Sequence, residues 1–331
     1  MTTTELSELC VELGYPSYRG KQLADWLYKK SAASYEDCKN LPKDLIAKLN
    51  EKLPLDKSKI ADKKISKDGT TKYLLQLSDN QTIECVLLPY QDRTSICIST
   101  QIGCAVGCKF CATGDCGFTR NLTTSEMVDQ ILTLQADCSS RISNVVIMGM
   151  GEPMLNYDNT LKAINIITNE IGISARKITL STVGITSGIL KLAKENLQIT
   201  LAVSLHASDD VLRNKLIPLA KNNPLESIID ACKVYADKTG RRITYEYMLL
   251  EGINDSEENA GKLAKLVKGT MCHINLIPYN AVTGKEYRKP HKTAVQAFRK
   301  VLEDSGIEVS QRFEKGEKIS AACGQLKKQS L

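Results

Sequence analysis

Three cysteines on one short segment are the residues in this sequence whose types and spacing point most directly to chemistry. Cys104, Cys108 and Cys111 follow a C-x3-C-x2-C spacing, and the run Ala-Thr-Gly comes directly after the last of them. Three thiolates on one loop can hold three irons of a cubane iron–sulfur cluster, whereas such clusters usually take four cysteines. The spacing therefore indicates a cluster whose fourth iron stays open to a chelating ligand.

A structural zinc site and a set of inert thiols are the two alternative interpretations of this loop. Structural zinc sites usually need four ligands, often arranged as two C-x2-C pairs. The sequence has no second pair of that kind, and His206, His273 and His291 show no paired spacing. The pattern favours the cluster.

Further polar and glycine residues follow the predicted strands at their carboxyl ends. Gly151 and Glu152 lie in a Gly-Glu-Pro run directly after an apolar strand, where backbone and carboxylate can hold the amino group of a ligand. A simple turn is the alternative, since Gly and Pro often end a strand. Ser181, Ser204 and His206 close two other strands and are weak signals individually. In a β/α barrel all these strand ends share one rim, where active sites are built.

Two cysteines outside the loop are candidates for sulfur chemistry. Cys97 lies in the strand that leads into the loop, seven residues before Cys104. Cys323 lies near the end of the chain in the run Ser-Ala-Ala-Cys-Gly, whose small residues leave room for a mobile tail with an exposed sulfur. A tail thiol without any function is the alternative interpretation of Cys323.

Glu84 is a carboxylate in an otherwise apolar strand. Strand alternation places it on the same face as Thr82 and Val86. A carboxylate that lines a barrel interior is a candidate general base. A surface glutamate on an edge strand is the alternative.

Strands and helices alternate from about residue 73 onward. The predicted strands are Thr82–Leu88, Thr94–Thr100, Val145–Met148, Lys177–Thr182, Thr200–Leu205, Ile243–Leu249, Cys272–Ile277 and a short Ile307–Val309. The predicted helices are Ser125–Asp137, Asn159–Glu170, Ser187–Glu195, Leu225–Lys238, Ser256–Lys268 and Thr293–Ser305. This alternation predicts an α/β fold with a parallel sheet. About six units are visible, which indicates a partial, open TIM-like β/α barrel instead of a closed ring of eight.

A helical segment precedes the barrel. Leu23, Trp26 and Leu27 share one helix face, and Leu45, Leu49 and Leu53 form a second short stripe. The expected domains are a helical accessory domain at 1–60 that contacts RNA, connecting strands with Glu84 at 61–92, a barrel core at 93–312 and a tail with Cys323 at 313–331.

Charge and composition narrow the class of protein. The 331 residues carry a net charge of +6, and the stretch 285–331 holds eleven Lys and Arg against six Asp and Glu. Such a basic surface can follow a phosphate backbone, and a solvated surface is the alternative. We find no apolar run of membrane-spanning length and no secretory signal. Twelve cysteines without an export signal indicate a reducing, cytoplasmic location.

The ordered set of motifs resembles the RlmN family of radical-SAM RNA methyltransferases. From Glu84 to Cys323, about three-quarters of the chain, the matching runs are Ser-Thr-Gln-Ile-Gly-Cys, the three-cysteine loop, Gly-Phe-Thr-Arg-Asn-Leu, Met-Gly-Met-Gly-Glu-Pro-Met-Leu-Asn, Leu-Ser-Thr-Val-Gly, Ala-Val-Ser-Leu-His-Ala, Asn-Leu-Ile-Pro-Tyr-Asn and Ala-Ala-Cys-Gly-Gln-Leu. The family methylates carbon 2 of adenine in 23S rRNA and tRNA. The resemblance therefore implies a cytoplasmic, monomeric enzyme of the radical-SAM barrel type that receives electrons from a donor such as flavodoxin.

The resemblance also implies a role for each matching residue. Cys104, Cys108 and Cys111 would hold a [4Fe-4S] cluster, and the residues at S-adenosylmethionine would be Gly151, Glu152, Ser181, Ser204 and Asn280, with Leu205 and His206 beside them. Cys323 would be methylated by one S-adenosylmethionine. A second would be cleaved to a 5′-deoxyadenosyl radical that takes hydrogen from this methyl group. Cys97 would then resolve the protein–RNA adduct through a transient disulfide with Cys323, and Glu84 would be the proton acceptor.

Parts of the sequence leave two other functions open. Cys116 is not part of the family pattern, and the run Cys-Ala-Thr-Gly-Asp is shared with the sister Cfr family, which methylates carbon 8. The runs Gly-Glu-Pro-Met-Leu-Asn and Ile-Glu-Cys-Val-Leu-Leu-Pro favour carbon 2. A non-catalytic RNA-binding protein whose cysteines hold zinc is the alternative from a different class.

Overall fold

A computed structural model describes residues 1–312 and 315–329 of the chain. Of the tail expected at 313–331, residues 313, 314, 330 and 331 thus lie outside the described residues. The described part of that tail includes Cys323.

The N-terminal segment is helical, as its apolar stripes predict. Its helices are α1 (Thr3–Glu12), α2 (Tyr18–Ala24) and α3 (Lys43–Lys52). A capping box begins α1, because the Thr2 hydroxyl accepts the Glu5 N–H and the Glu5 carboxylate accepts the Thr2 N–H. The predicted second stripe is buried at Leu45 and Leu49.

One ten-stranded sheet forms the body of the molecule. Two further strands, β5 (Gln101–Gly103) and β6 (Phe118–Asn121), form a separate ribbon. The strands of the large sheet are, in chain order, β1 (Lys59–Ile65), β2 (Thr71–Gln76), β3 (Thr82–Pro89), β4 (Thr94–Cys97), β7 (Ile142–Ile147), β8 (Ile178–Thr182), β9 (Thr200–Ser204), β10 (Ile243–Leu249), β11 (Cys272–Pro278) and β12 (Val309–Gln311). The spatial order is β1-β2-β3-β4-β7-β8-β9-β10-β11-β12. Strands β1 to β4 pair antiparallel, and β4 and β7 to β12 pair parallel.

Helices connect the parallel strands. They are α4 (Ala112–Asp115), α5 (Thr124–Asp137), α6 (Tyr157–Ile166), α7 (Thr186–Leu192), α8 (Asp210–Leu216), α9 (Leu225–Thr239), α10 (Glu257–Val267) and α11 (Lys292–Asp304). Each of β4, β7, β8, β9, β10 and β11 is followed by at least one helix before the next parallel strand. The predicted open β/α barrel with about six units is therefore confirmed. Strands covered by helices on the outside are buried on both faces, which explains their nearly continuous apolar runs.

Several predicted elements have different bounds, and two strands and one helix illustrate the differences. The strand expected at Thr94–Thr100 leaves the sheet after Cys97, because the chain turns there toward the cysteine loop and resumes as β5. The last strand begins at Val309, two residues later than expected, after a turn through left-handed Gly306. The helix expected at Asn159–Glu170 starts earlier and ends in a π-helical turn at Ile167–Ile171.

The N-terminal helices pack directly on the barrel. Their buried side chains belong to the same apolar cluster as those of the barrel helices and strands. The Thr3 N–H donates to Glu170 Oε1 at 2.9 Å, and Lys162 pairs with Glu5 at 2.7 Å. Among the described residues, we find no helix with the length and apolar character needed to cross a membrane.

Candidate active site

The three-cysteine loop lies between β5 and α4, at the carboxyl ends of the parallel strands. A reverse turn closes its second half, with the Cys111 N–H donating to the Cys108 carbonyl at 3.1 Å. The Cys104 N–H donates to the Gly117 carbonyl at 2.8 Å, which fixes the start of the loop to the β5–β6 ribbon. All three side chains are half-buried beside the apolar residues Val106 and Phe110.

The thiols of this loop share one sheltered environment. Burial raises the pKa of Cys104 to about 11, and it raises the pKa values of Cys108 and Cys111 as well. Each of Cys104 and Cys108 is close enough to Cys111 for that sulfur to raise its pKa further. Backbone N–H groups of Val106 and Gly151 face Cys104 and act in the opposite direction. Such N–H groups stabilise a metal-bound thiolate, and metal binding would release the protons.

A cavity of about 160 Å³, here called the loop cavity, brings this loop together with the strand ends. Its lining includes Cys104, Cys108 and Cys111, and the predicted residues that join them there are Gly151, Glu152, Ser181, Ser204 and His206. Within the described chain, no three His, Cys, Asp or Glu side chains are grouped so that one metal ion could bind them. The three thiols that line the loop cavity thus fit a cluster better than a single zinc ion.

Close backbone approaches explain the glycines that follow β7. Gly151 has a φ of +105°, and a Cβ there would lie 2.6 Å from the Cβ of Gln101. At Gly149 a Cβ would lie 2.6 Å from the Ile98 carbonyl oxygen. Since only glycine fits both positions, the Gly-Met-Gly-Glu-Pro run forms a wall of backbone beside the loop cavity.

Glu152 organises the neighbouring strand end. Its carboxylate accepts hydrogen bonds from the Thr182 hydroxyl and the Val183 N–H, both at 2.7 Å, and from the Met154 N–H at 3.0 Å. Burial raises its pKa, and these three bonds lower it in part. Glu152 therefore holds β8 in place while its carboxylate lines the loop cavity.

His206 is a buried, neutral ring at the end of β9. Its Nδ1 accepts the Met248 N–H at 3.0 Å, and Phe110 packs edge-on against it with ring centroids 5.1 Å apart. Burial lowers its pKa to about 3, helped by the Arg213 charge. Because Nδ1 is an acceptor, the proton lies on Nε2, and the ring can donate from that atom into the loop cavity.

Leu205 is not among the residues that line the loop cavity. Its side chain is fully buried in the apolar core, and its carbonyl accepts from Arg213 Nε at 3.2 Å. Arg213 was not found from the sequence, since nothing around it distinguishes a buried arginine from a surface one on a short helix. The guanidinium also donates to the carbonyls of Val183, Ser204 and Asn223, and it thereby ties the ends of β8 and β9 together.

A second cavity of about 110 Å³, here called the tail cavity, adjoins the first. Cys97, Cys323 and Asn280 line it, and Cys323, Cys111 and Arg312 line both cavities. The structure therefore brings the two predicted sulfur residues together beside the cysteine loop. The Cys323 sulfur contributes to raising the pKa of Cys97, which burial takes to about 12.

Asn280 contacts the tail through only one end of its amide. Its Nδ2 donates to the Cys323 carbonyl at 3.3 Å. Its Oδ1 is buried and, among the described residues, has no hydrogen-bond partner. A buried acceptor without a partner is costly, so this oxygen is suited to a donor on a bound ligand.

Arg312 and Glu246 add charge to the cavities, and neither was found from the sequence. Glu246 is buried on β10 and accepts from Asn275 Nδ2 at 2.8 Å. The Cys323 sulfur, Glu246 and Cys97 all raise the pKa of Arg312, so this cation faces both thiols. A glutamate inside the apolar run of β10 is the same signal that identified Glu84, and it could have identified Glu246.

Glu84 lies on β3 and is fully buried, as the strand pattern allows. Its carboxylate is not among the groups lining the loop cavity or the tail cavity. It pairs with Lys72 at 3.0 Å and accepts the Lys327 N–H at 2.9 Å. The surface interpretation of Glu84 is therefore wrong, because the tail covers this side chain.

Comparison with known proteins fixes the family. A family model described as the radical SAM superfamily matches residues 98–264, and one described as the ribosomal RNA large subunit methyltransferase N-terminal domain matches residues 1–54. Two relatives, from Trichormus variabilis and Picosynechococcus sp., are each named "Probable dual-specificity RNA methyltransferase RlmN" and are each 46% identical to this chain. Both matches cover 98% of this chain, and they cover 92% of the Trichormus protein and 93% of the Picosynechococcus protein. The chain belongs to the RlmN family. It is thus a radical SAM protein, and this superfamily implies a [4Fe-4S] cluster and S-adenosylmethionine.

Solved structures agree with this membership. A radical SAM methyltransferase from Sphaerobacter thermophilus superposes with a TM-score of 0.95 at 44% identity, over 98% of this chain and 97% of that one. Streptococcus suis SuiB matches with a TM-score of 0.50 at 17% identity, over 70% of this chain and 52% of that one, which reflects the shared fold alone. The RlmN-family arrangement therefore extends over nearly the whole chain.

Proposed function

We propose that this protein methylates carbon 2 of a specific adenine in 23S rRNA and in tRNA, using S-adenosylmethionine. The observation that carries the proposal is the shared lining of the two cavities, in which Cys323 lies between the three-cysteine loop and Cys97. The relatives named as dual-specificity RNA methyltransferases support RNA as the substrate. We further propose a monomer that acts in the cytoplasm and takes electrons from a donor such as flavodoxin.

The loop cavity is proposed to bind both cofactors. Cys104, Cys108 and Cys111 would hold the cluster, which supplies the electron for reductive cleavage of S-adenosylmethionine when it is bound. The polar groups of S-adenosylmethionine would be held by the backbone at Gly151, by the hydroxyls of Ser181 and Ser204, and by the Nε2–H of His206. Asn280 Oδ1, which lies at the adjoining tail cavity and is buried without a partner among the described residues, would accept a further hydrogen bond.

Cys323 is proposed to carry the methyl group. Its sulfur attacks the methyl carbon of one S-adenosylmethionine, the sulfonium–methyl bond breaks, and S-adenosylhomocysteine leaves. A second S-adenosylmethionine is used to remove a hydrogen atom from the resulting S-methyl group. Because carbon 2 of adenine is electron-poor and has no lone pair, attack by a carbon radical is suited to this position in a way that ordinary methyl transfer is not.

Cys97 and Glu84 are proposed to release the product. Glu84 accepts the proton that leaves carbon 2, and Cys97 attacks the Cys323 sulfur. The carbon–sulfur bond to the RNA then breaks, its electron pair passes to the methylene carbon, which takes up a proton to become the methyl group, and a disulfide forms between the two cysteines. The unpaired electron of the radical adduct leaves before this step and returns to the oxidised cluster when that is bound. Splitting one difficult transfer into a covalent step and a release step follows the general logic of nucleophilic catalysis.

RNA must present its adenine outside the base stack to reach Cys323, as for other enzymes that modify a base. The basic segment 285–331 and the accessory segment 1–60 are the surfaces that we propose for contacts to the phosphate backbone. Such contacts would position the RNA without reading its sequence.

The test is a labelling experiment with anaerobically reconstituted protein, reductant, methyl-labelled S-adenosylmethionine and unmodified 23S rRNA fragment or tRNA. We expect labelled 2-methyladenosine after nuclease digestion and mass spectrometry. Labelled 8-methyladenosine would instead assign the chemistry of the sister family, and unlabelled RNA despite cleaved S-adenosylmethionine would reject RNA of these types as substrate.

A second cysteine variant serves as the matched control for Cys323→Ala. Cys323→Ala should abolish labelling of both protein and RNA and leave the cluster absorbance unchanged. Cys138→Ala, at the half-buried end of α5, should leave the labelling and the cluster absorbance unchanged. RNA methylation at the normal rate by Cys323→Ala would show that the methyl group does not travel on this sulfur.

A further inference from the structure

The chain segment from Cys323 to Gln329, here called the tail strap, crosses the site and is fastened to it along its length. Near its start, the Ala112 N–H donates to the Gly324 carbonyl at 2.7 Å and Thr113 Oγ1 donates to the Leu326 carbonyl at 2.5 Å. Ala112 and Thr113 directly follow the last cysteine of the loop. The strap is thus held beside the cysteine loop at one end.

The other end of the tail strap is fastened to β3, chiefly through the Glu84 carboxylate. Glu84 Oε2 accepts the Lys327 N–H at 2.9 Å, and Glu84 Oε1 accepts from Gln329 Nε2. The Thr82 hydroxyl donates to the Gln329 carbonyl. Both Thr82 and Glu84 project from the same face of β3, as the period of a strand requires.

Lys72 supplies the opposite charge to this anchor. Its ammonium lies 3.0 Å from Glu84 Oε1, and the two side chains are only 7% and 0% exposed. Lys72 lies on β2, which pairs antiparallel with β3, so the sheet itself fixes the distance between the two charges. A buried ion pair of this kind contributes little stability compared with apolar side chains of the same size, because both charges lose their hydration. Its position under the strap indicates a role in holding that segment.

We propose that Lys72 is a positioning residue for the sulfur chemistry: it fixes the Glu84 carboxylate as the anchor of the tail strap, and the strap holds Cys323 where the two cavities meet. The role of Cys323 in methyl transfer rests on the proposed function. The anchor itself rests on the contacts of Glu84 alone.

The anchor has a consequence for the proton transfer assigned to Glu84. The same two oxygens that would accept a proton from the adenine now accept the Lys327 N–H and the Gln329 amide. The carboxylate therefore becomes available to the RNA only when the end of the strap leaves it. Departure of the strap and exposure of the proton acceptor are one event.

Hydrogen exchange of the tail strap tests this inference directly. We would measure exchange by mass spectrometry on the reconstituted full-length protein, without S-adenosylmethionine or RNA. Lys72→Met and Gln329→Ala should each exchange the Lys327 amide about tenfold faster or more, because the end of the strap opens more often once a contact of its charged anchor is lost. Lys72→Arg should restore slow exchange, because the guanidinium keeps the charge beside Glu84.

Further variants separate positioning from general loss of structure. Lys64→Met removes the same charge from the exposed edge strand β1, where its partner is Asp62, and should leave exchange of the strap unchanged. Lys72→Gln removes the charge but keeps a polar group beside Glu84, so it takes the place of Lys72→Met if that variant fails to fold. Gln329→Ala changes a half-buried side chain and tests the Glu84 anchor by itself. Wild-type exchange at Lys327 in the folded Gln329→Ala and Lys72→Met (or Lys72→Gln) proteins would overturn the proposal. Since no RNA is present, this result is independent of whether the RNA is methylated.

Discussion

Cys97 and Cys323 share a cavity, but their surroundings differ. Cys97 is buried on β4 and pairs across the sheet with Val86, whereas Cys323 is half-buried on the tail strap. Burial is the main cause that raises the pKa of Cys97 to about 12, the Cys323 sulfur adds to it, and Arg312 opposes it. In the resting protein Cys97 is therefore a thiol, and it has to be ionised to attack the Cys323 sulfur.

The first prediction follows from this pKa. Alkylation of Cys97 by iodoacetamide in the folded, reduced protein should be slow at pH 7 to 8 and should accelerate steadily toward pH 10, because only the thiolate reacts. Peptide mass spectrometry would measure the rate at each pH, with the urea-unfolded chain as the reference. Equal rates for Cys97 in the folded and the unfolded chain at pH 8 would contradict the prediction.

His206 gives a second prediction, on stability against acid. Its folded pKa of about 3 lies below the unfolded value of 6.5, so the unfolded chain binds an additional proton between these two values. Stability should therefore fall as the pH falls below 6.5, and this residue should contribute a loss of about 1 kcal/mol between pH 7 and 5.5. In His206→Gln, whose amide oxygen can still accept the Met248 N–H, urea unfolding should show a shallower dependence on pH. An identical slope in both proteins would refute the assignment.

At the scale of elements, the rim of the barrel depends on groups that connect one strand end to the next. Glu152 joins the β7 end to the β8 end, and Arg213 joins the ends of β8 and β9. These bonds satisfy backbone groups exactly where the regular ladder of the sheet stops and where the site begins. The side chains that line the loop cavity are thus held by strands whose ends are fastened to one another.

A third prediction concerns Arg213, whose burial lowers its pKa to about 10 and leaves it charged at pH 7. Arg213→Met should destabilise the protein by about 3 kcal/mol, because several buried carbonyls lose their donor together. Arg213→Lys should recover only part of this, since an ammonium cannot reach carbonyls on three sides as a guanidinium does. Urea unfolding measures both changes.

Arg242 offers the control for that comparison. It is an exposed arginine that pairs with Glu308 on the surface. Arg242→Met should change the free energy of unfolding by no more than about 0.5 kcal/mol. A similar loss at both arginines would mean that the rim bonds of Arg213 do not stabilise the fold.

At the scale of the whole molecule, the helical segment and the barrel share one apolar core. The contacts across their boundary include the hydrogen bond from Thr3 to Glu170 and the ion pair between Glu5 and Lys162. A cavity lined by Leu6, Tyr28 and other residues from both parts also lies at this boundary. The two parts are therefore expected to unfold together, even though separate family models match them.

The single tryptophan makes this fourth prediction measurable. Trp26 lies in the helical segment, so its fluorescence reports on that segment, whereas far-ultraviolet circular dichroism reports on the whole chain. Urea titrations followed by the two signals should have the same midpoint. An earlier fluorescence transition would show that the segment opens independently of the barrel.

Local pattern was sufficient for most strands and helices of the barrel and for the cysteine loop. Strand alternation, apolar stripes and capping residues act over a few residues, and the parallel order of the barrel follows from the alternation of strand and helix. The C-x3-C-x2-C spacing is likewise a local property, and so is the Gly-Glu-Pro run. These parts of the prediction agree with the fold, apart from the bounds of individual elements.

Only the tertiary structure revealed the groups that act across long separations in the chain. Glu84 and Lys327 are 243 residues apart, and neither carries a sequence signal that it contacts the other. Arg213, Glu246 and Arg312 are ordinary charged residues in the sequence. Folding buries Arg213 and Glu246, and it places Glu246 and Arg312 in the lining of the cavities. The sequence by itself determined the family, the barrel and the cysteines, because those are written in local spacing. Packing between distant segments decided where the carboxylates, the arginines and the tail strap meet. A buried charge needs a paired or hydrogen-bonding partner, and only the fold brings that partner next to it.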